Sequence, residues 1–122
     1  MKIYVAHSSG FDYQNELYQP LRKSELNKLH EITLPHEHST DPFNSKEYIK
    51  ECGLILAEVT YPSTGQGIEL GWADLYDVPI VCLYKKGVIL SGSLKVISNT
   101  FIEYENSKDM IQKLTDYLSV YK

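Results

Sequence analysis

Short apolar runs, each bounded by turn residues, recur along the chain at regular intervals. Five of them predict β-strands, and they cover residues 2–7, 31–35, 54–59, 79–84 and 100–105. The third run contains Leu54-Ile55-Leu56-Ala57, which is apolar at every position. Such a run is typical of a parallel strand that helices cover on both faces.

Segments with helical spacing separate these runs. Residues 13–24 predict a helix that Pro20 kinks or delimits, because proline lacks a backbone N–H donor. Residues 44–51 predict a short helix capped by Asn44 or Ser45.

Two longer helices are predicted further along the chain. The helix at residues 66–77 is expected to bring three residues to one side: Ile68, Ala73 and Tyr76. The last helix follows Asn106 and Ser107. Its apolar positions repeat at helical spacing: Met110, Leu114, Tyr117, Leu118 and Tyr121.

Strands that alternate with helices form βαβ units. The chain therefore predicts a single α/β domain over residues 1–122, with a parallel sheet between two layers of helices. Ligands of such sheets bind beyond the carboxyl ends of the strands, near the switch point of the topology. Three predicted loops lie at that edge: His7–Asp12, Pro35–Pro42 and Thr60–Gly67.

Charge and composition exclude several classes of protein. The net charge is −4 and Arg22 is the only arginine, so neither a nucleic-acid surface nor a guanidinium clamp is predicted. Cys52 and Cys82 lie in apolar segments outside any metal-ligand spacing, which indicates reduced, buried thiols. No stretch has the pattern of a signal peptide or a membrane span. We expect a cytoplasmic protein.

The loop Thr60–Gly67 leads directly into a predicted helix. Gly65 and Gly67 let backbone approach a ligand closely, Ser63 adds a hydroxyl, and the helix end offers unpaired N–H donors. This chemistry suits a phosphate or a sugar hydroxyl, although the spacing matches neither a Walker loop nor a dinucleotide fingerprint. A tight strand-to-helix turn explains the loop about equally well.

Glu69 stands in the first turn of that helix, where the helix dipole stabilises a carboxylate by about 0.3–1 kcal/mol. Spacing alone favours this structural role. The functional interpretation is an ionised carboxylate that attacks an electrophilic sugar carbon. Tyr4 has two interpretations as well, core packing or orientation of a neighbouring carboxylate. Glu58 either faces the cleft or, as the sequence favours, forms a salt bridge along the sheet.

Three other polar groups fall near this edge of the sheet. His7 ends the first strand in the predicted cleft, where it is placed to contact a substrate. In His36-Glu37-His38 the two histidines share one face, but no third ligand stands at a recognisable spacing, so a solvated loop is favoured over a metal site. The pair Lys85-Lys86 predicts a solvated strand end.

The stretch "LILAEVTYPSTGQGIELGWA" (54–73), followed by "VPIVCLYKKG" and "ILSGSL", resembles the nucleoside 2-deoxyribosyltransferase superfamily. It is most similar to the branch of 2'-deoxynucleoside 5'-monophosphate N-glycosidases. The segments "KIYVAHSSG" and "LYQPL" resemble that family's first strand, its glycine/serine loop and its first helix. The similarity covers most of the chain and is specific around residues 57–73.

The resemblance implies a flavodoxin-like Rossmann fold of about five parallel strands, no cofactor, and a homodimer or higher homo-oligomer with shared active sites. Glu69, within Gly67-Ile68-Glu69-Leu70-Gly71, matches the family's catalytic glutamate, which attacks the sugar C1' to form a glycosyl-enzyme ester. Water then completes hydrolysis, or a second base completes transfer. Tyr4 matches the family's orienting tyrosine.

The pattern Pro-Ser-x-Gly-x-Gly marks the monophosphate-binding branch of this family. Ser63, Gly65 and Gly67 match its phosphate-contacting positions, and Ser91 matches a serine that reaches the phosphate from the neighbouring subunit. In the first loop, the resemblance assigns three residues to substrate or phosphate binding: His7, Ser8 and Gly10.

One departure from the family concerns acid catalysis. The family places an aspartate just before the third strand, where it assists the departing base, and Gly53 stands in that place here. Either Asp12, Asp41 or His7 supplies the proton, or the leaving group needs little help, or the protein binds nucleotides without turning them over. General acid assistance contributes about 10²–10⁴-fold, so its loss slows the reaction without abolishing nucleophilic attack.

Four functions follow, in order of preference. The first is hydrolysis of the N-glycosidic bond of (deoxy)nucleoside 5'-monophosphates by Glu69. The second is exchange of bases by deoxyribosyl transfer. The third is a nucleotide-binding domain with weak or no catalysis. A flavin-binding domain ranks last, because the first loop lacks the run of Ser and Thr expected to hold a flavin phosphate.

Overall fold

The computed structural model describes residues 1–41 and 44–120. Its strands are β1 (Lys2–His7), β2 (Glu31–Thr33), β3 (Leu54–Glu58), β4 (Ile80–Lys85) and β5 (Thr100–Tyr104). Its helices are α1 (Gln19–Lys23), which continues a π-helical turn over Gln14–Tyr18, α2 (Leu26–Leu29), α3 (Lys46–Lys50), α4 (Thr64–Leu75), α5 (Leu94–Ile97) and α6 (Ser107–Leu118). Pro42 and Tyr121, which sequence analysis assigns to a loop and to the last helix, lie outside the described residues.

All five strands are parallel and lie in the order β2-β1-β3-β4-β5. This is the flavodoxin-like order, and its switch point lies between β1 and β3. The predicted three-layer α/β fold with five parallel strands is confirmed. β2 is shorter than the predicted run 31–35, because the chain already turns at Leu34, whose carbonyl accepts a hydrogen bond from the Glu37 N–H at 3.2 Å.

Alternate residues of the central strands enter two separate cores. On one face the strands pack against α1 and α6 through Ile3, Val5, Leu56, Leu21, Met110 and Leu114. On the other face they pack against α3 and α4 through Tyr4, Ala6, Ala57, Ile49, Leu70 and Ala73. Cys52 and Cys82 are buried and unpaired, as predicted. No helix within the described ranges combines the length and apolar character needed to cross a bilayer.

Local backbone chemistry sets the helix boundaries. Pro20 stands in the first turn of α1, where the π-helical turn passes into the α-helix and where its missing N–H interrupts the helical hydrogen bonds, so it delimits α1 within the predicted helix. α6 begins after Asn106, whose side chain accepts a hydrogen bond from the Asp109 N–H at 2.9 Å. The single-turn helices α2 and α5 were not predicted, because four residues are too few to show a periodic pattern.

The inward face of α4 differs from the prediction. Ile68 was expected on that face and is 50% exposed, while the buried residues are Gln66, Leu70 and Ala73. A pattern of apolar positions does not predict that Gln66 is buried, because its side chain is polar. Its amide nitrogen donates hydrogen bonds to the carbonyls of Ala6 at 3.1 Å and Glu58 at 2.6 Å. Gln66 thereby joins the carboxyl ends of β1 and β3 at the switch point.

Candidate active site

A cavity of about 390 Å³ opens at the carboxyl edge of the sheet, where α4 crosses the switch point. Each of the three predicted loops contributes to its lining, together with β1 and α4. Its polar side chains include Tyr4, His7, His36, Ser45, Ser63 and Glu69. Ile68 and Trp72 of α4 form an apolar wall. A concave site with few polar groups and one apolar side suits a small organic ligand.

Two hydroxyl groups hold the carboxylate of Glu69. Both Tyr4 Oη and Ser45 Oγ donate a hydrogen bond to Glu69 Oε2, the second at 2.5 Å. Tyr4 and Ser45 are each 1% exposed, so neither donor can be replaced by bulk water. Within the described part of the chain, no hydrogen bond engages the other oxygen, Oε1. The arrangement fixes the carboxylate and leaves one of its oxygens for a ligand.

Burial and hydrogen bonding act on the carboxylate in opposite directions. Burial raises the pKa of Glu69, while the hydrogen bonds from Ser45 and Tyr4 and the charge of His36 lower this pKa. Burial also raises the pKa of Tyr4 far above its ordinary value, and the negative charge of Glu69 adds to this. Tyr4 therefore remains a neutral phenol that donates to the carboxylate.

His7 lies in the cavity wall with both ring nitrogens engaged. Nδ1 lies 2.7 Å from the Ser8 carbonyl oxygen, which can only accept, so Nδ1 carries the proton. Nε2 then accepts from the Tyr18 hydroxyl at 2.6 Å, and that hydroxyl accepts from the His36 N–H at 3.0 Å. Burial lowers the pKa of His7, which favours this neutral state. The ring therefore supports the site, and its one proton is engaged with the Ser8 carbonyl.

The amino end of α4 meets the cavity at Ser63 and Gly65. Ser63 caps the helix weakly, since its hydroxyl lies 3.5 Å from the Gln66 nitrogen. Neither Gly65 nor Gly67 has a positive φ, so the backbone itself does not require glycine. A Cβ atom at either position would meet no atom within 4 Å. What glycine leaves at Gly65 is space beside the free N–H groups of the first helical turn.

Six of the residues named by sequence analysis lie outside the cavity lining: Ser8, Gly10, Asp12, Asp41, Gly67 and Ser91. Ser8 is buried, and its hydroxyl accepts from the Gly10 N–H at 3.0 Å, so these two residues shape the loop that carries Ser9 into the lining. Ser91 lies in the loop after β4, where its hydroxyl accepts from the Ser93 N–H at 3.3 Å.

Neither predicted aspartate reaches the cavity. The Asp12 carboxylate accepts a hydrogen bond from the Asn15 side chain at 3.0 Å and stabilises the helical turn that follows. Asp41 is exposed, and its N–H donates to the Ser39 hydroxyl at 3.1 Å. The hypothesis that Asp12, Asp41 or His7 supplies a proton to a ligand therefore finds no geometric support.

The interpretation of Gly53 as a missing acid is wrong. Gly53 precedes β3 at the amino edge of the sheet, where its N–H donates to the Lys2 carbonyl at 2.9 Å. A Cβ there would contact Met1 Sδ at 3.2 Å. Because a strand rises about 3.3 Å per residue, the length of β3 separates this position by about 15 Å from the loop after Glu58 that leads to the cavity. A carboxylate at position 53 would therefore stand at the opposite edge of the sheet from the loops that line the cavity.

Glu58 and Lys85 differ from their predicted roles. Glu58 is 1% exposed, forms no salt bridge with any residue that the structure describes, and is not part of the cavity lining. Its carboxylate accepts hydrogen bonds from the Thr60 N–H at 2.6 Å, the Thr60 hydroxyl at 2.9 Å, and the Tyr104 hydroxyl. Lys85 is not simply solvated, since Nζ contacts Glu16 Oε1 at 2.6 Å. Both residues stabilise the edge on which the cavity is built.

The segment His36-Glu37-His38 after β2 is predicted to be a solvated loop, and only part of it is solvated. His36 lines the cavity, Glu37 pairs with Arg22 at 2.8 Å, and the His38 side chain is 91% exposed. The two histidines thus point to different surroundings. Among residues 1–41 and 44–120, no cluster of three His, Cys, Asp or Glu side chains is arranged to hold a metal ion.

Sequence reasoning missed Ser45. Its spacing predicted a helix cap, and Ser45 does precede α3, but its hydroxyl makes no cap hydrogen bond. The Lys46 N–H is instead bonded by the Asn44 side chain at 3.2 Å, which leaves the Ser45 hydroxyl for Glu69. The available signal was topological, because the helix after β2 begins at the same edge of the sheet as Glu69.

The fold and the cavity define a flavodoxin-like α/β protein with a partly buried carboxylate at the ligand-binding edge of its sheet. The chain is similar to named nucleotide hydrolases. It is 35% identical over 75 residues to "Putative 2'-deoxynucleoside 5'-phosphate N-hydrolase 1" of Syntrophotalea carbinolica, a match that covers 59% of this chain and 53% of that protein. It is 37% identical over 51 residues to human 5-hydroxymethyl-dUMP N-hydrolase, covering 40% of this chain and 29% of that protein.

A solved structure has the same fold. The CMP N-glycosidase of Clostridium botulinum superposes with a TM-score of 0.69 at 24% identity, over 93% of this chain and 98% of that one. No protein-family model matches the chain. The chain spans about half the length of the bacterial relative. The resemblance that residues 54–73 indicated is confirmed by these likenesses.

Proposed function

We propose that this chain hydrolyses the N-glycosidic bond of (deoxy)nucleoside 5'-monophosphates, with Glu69 as the nucleophile. One observation carries the proposal: two buried hydroxyls hold Oε2 of Glu69, and Oε1 remains for a reacting atom in a cavity at the switch point. The names of the relatives support the same reaction class, since they describe N-hydrolases of nucleoside 5'-phosphates.

The reaction proceeds in two displacements. Glu69 Oε1 attacks C1', the C1'–N bond breaks with its electron pair passing to the base, and a glycosyl ester forms on Glu69. Water then attacks C1', which releases the sugar phosphate and regenerates the carboxylate. Tyr4 and Ser45 hold Oε2 throughout, so the attacking oxygen needs little reorientation in either step.

The substrate phosphate binds at the amino end of α4. The unpaired N–H groups of its first turn and the helix dipole attract an anion, and the hydroxyls of Ser63 and Ser9 line the same cavity. Gly65 leaves room for the phosphate oxygens, and Gly67 keeps the next position free of a side chain. Ile68 and Trp72 face the base, because it is the apolar end of the nucleotide.

We also propose that two copies of the chain associate. Large apolar side chains are exposed on α4, on the loop after β4 and on α5: Ile68, Leu75, Ile89 and Val96. Ser91 lies in that same loop and would reach the phosphate of the neighbouring copy. Sedimentation should show a dimer that Leu75→Glu weakens, and a wild-type monomer would contradict this part. We propose a cytoplasmic location, where buried unpaired cysteines stay reduced.

A screen for released base tests the proposed reaction. The wild-type chain is incubated with each common ribo- and deoxynucleoside 5'-monophosphate, and free base is measured by chromatography. Glu69→Gln should abolish release, while Glu103→Gln, an exposed strand residue, should not. Mass spectrometry of acid-quenched enzyme should detect the glycosyl ester on Glu69. Absence of base release from every nucleotide would refute the proposal, and a new nucleotide on addition of a second base would indicate transfer instead.

A further inference from the structure

The departing base needs a proton that the two displacements do not supply. When the C1'–N bond breaks, the base keeps the electron pair and leaves most readily if a nearby acid protonates it. Asp12 and Asp41 lie outside the cavity lining, and position 53 lies at the opposite edge of the sheet. The acid must therefore come from another residue of the lining.

Among residues 1–41 and 44–120, the lining contains four titratable side chains: Tyr4, His7, His36 and Glu69. Glu69 is the nucleophile, and the Tyr4 hydroxyl donates to it. His7 uses Nδ1 for the Ser8 carbonyl and Nε2 for the Tyr18 hydroxyl. The serine hydroxyls and the Gln66 amide are too weakly acidic to protonate a base. This elimination leaves His36.

The surroundings of His36 orient its ring. Its N–H donates to the Tyr18 hydroxyl at 3.0 Å, and its carbonyl accepts from Gln14 Nε2 at 3.0 Å, so the backbone is held on both sides. Nδ1 lies 3.3 Å from the Ser39 carbonyl oxygen, which can only accept, so Nδ1 carries a proton. The ring packs edge-on against His7, with centroids 5.8 Å apart.

The second ring nitrogen of His36 is available. Within the described part of the chain Nε2 has no hydrogen-bond partner and is not a buried unsatisfied atom, so it is accessible, and His36 is one of the residues that line the cavity. His36 and Glu69 line the same cavity, so both would border a ligand bound there. The charge of His36 also lowers the pKa of Glu69, in the direction expected for an acid beside a carboxylate.

We propose that His36 is the catalytic acid of this site, an inference that rests on the proposed hydrolase function. In the first displacement Nε2–H passes its proton to a nitrogen or oxygen of the departing base, which leaves neutral. In the second, the neutral Nε2 takes a proton from the water that attacks C1'. The sum is nucleotide plus water giving base plus sugar phosphate, with His36 and Glu69 both restored.

This role predicts a particular dependence on pH. The proposed reaction needs an ionised Glu69 and a protonated acid at once, so turnover should have both an acidic and an alkaline limb. The other groups that face His36 are His7, whose pKa burial lowers, the phenols of Tyr13 and Tyr18, and Glu37, which is paired with Arg22. The alkaline limb should therefore report His36.

The test compares dGMP with 7-methyl-dGMP, whose cationic base leaves as a neutral molecule without a further proton. His36→Gln should lower kcat on dGMP by about 10²–10⁴-fold and lower kcat on 7-methyl-dGMP by less than about tenfold. The alkaline limb of the dGMP profile should vanish in this variant. His38→Gln, which changes an exposed neighbour, is the matched control and should alter neither substrate.

Each other outcome overturns the role of His36. An equal loss on both substrates would show that His36 only supports the site, and no loss on either would show that it is not used. A wild-type enzyme that cleaves 7-methyl-dGMP but not dGMP has no functional acid. A wild-type enzyme that cleaves neither of these substrates, and releases base from no other nucleoside monophosphate of the screen, refutes the proposed function itself. Circular dichroism of His36→Gln separates these outcomes from misfolding.

Discussion

Ser45→Ala removes one of the two donors to Glu69 and tests whether they keep the carboxylate ionised. The Ser45 hydroxyl lies 2.5 Å from Oε2 and is 1% exposed, so water cannot take its place without a rearrangement. This hydrogen bond lowers the pKa of Glu69 against the effect of burial. Its removal raises that pKa, so a smaller fraction of Glu69 is ionised at any acidic pH.

The size of the effect follows from the kind of bond that is lost. A hydrogen bond to an ionised group contributes about 1.5–3 kcal/mol, and each 1.4 kcal/mol corresponds to about a tenfold change in an equilibrium. On the acidic limb of the profile, kcat/KM should therefore fall by about 10- to 150-fold. Above that limb Glu69 is ionised in both proteins, and most of the activity should return.

The assay measures kcat/KM for 7-methyl-dGMP from acidic to neutral pH, because this substrate needs no acid and its acidic limb reports Glu69. Ser98→Ala is the matched control, since Ser98 is also buried but donates to the neutral Ile80 carbonyl at 2.6 Å. It should cost about 0.5–1.5 kcal/mol of stability and leave the limb in place. A uniform loss of rate at every pH in Ser45→Ala would refute the reasoning.

Three further predictions concern stability and loop support. Burial raises the pKa of Glu69, so the folded state binds this proton more tightly than the unfolded state and stability falls as pH rises above 4.5. Glu69→Gln removes this ionisation and should therefore raise Tm at pH 7 but not at pH 4. Arg22→Gln breaks a two-point contact to Glu37, the neighbour of His36, at 2.8 and 2.9 Å. Because this loosens the support of the proposed acid, turnover of dGMP should fall more than turnover of 7-methyl-dGMP. The free energy of unfolding should fall by less than about 1 kcal/mol. Tyr104→Phe deprives the buried Glu58 of a donor and should lower the free energy of unfolding by about 1.5–3 kcal/mol, seen as a lower urea midpoint at constant m.

Most of the fold was predictable because its signals are local. Each strand of the sheet coincides with an apolar run, and the run at residues 54–57 correctly indicated burial on both faces. The phase of α4 was not predictable in this way, since its inward face includes Gln66. That polar side chain can be buried because two carbonyls at the switch point accept hydrogen bonds from its amide. Such partners come from strands distant in sequence.

The site was predictable only in part, because its chemistry depends on contacts between distant segments. The position of Glu69 at the ligand-binding edge followed from strand order, and so did the nearness of Tyr4 in β1. The Ser45–Glu69 contact joins residues 24 apart, and nothing in the local spacing distinguishes Ser45 from an ordinary cap. The prediction for position 53 was wrong because it used proximity in sequence to β3. That proximity does not say which end of the strand faces the ligand.

The neutrality of Ser45 bears on how acid and nucleophile are separated in this cavity. A carboxylate at that position would place a second negative charge beside Oε2 of Glu69. One of these two carboxyl groups would then hold a proton at neutral pH. A hydroxyl instead stabilises the ionised form of Glu69 and contributes no acid. In the proposed reaction, the proton for the base then comes from a side chain that interacts favourably with a carboxylate. His36 meets this requirement, because its protonated form lowers the pKa of Glu69 rather than raising it. The two protonation states that catalysis needs thus support each other across the cavity.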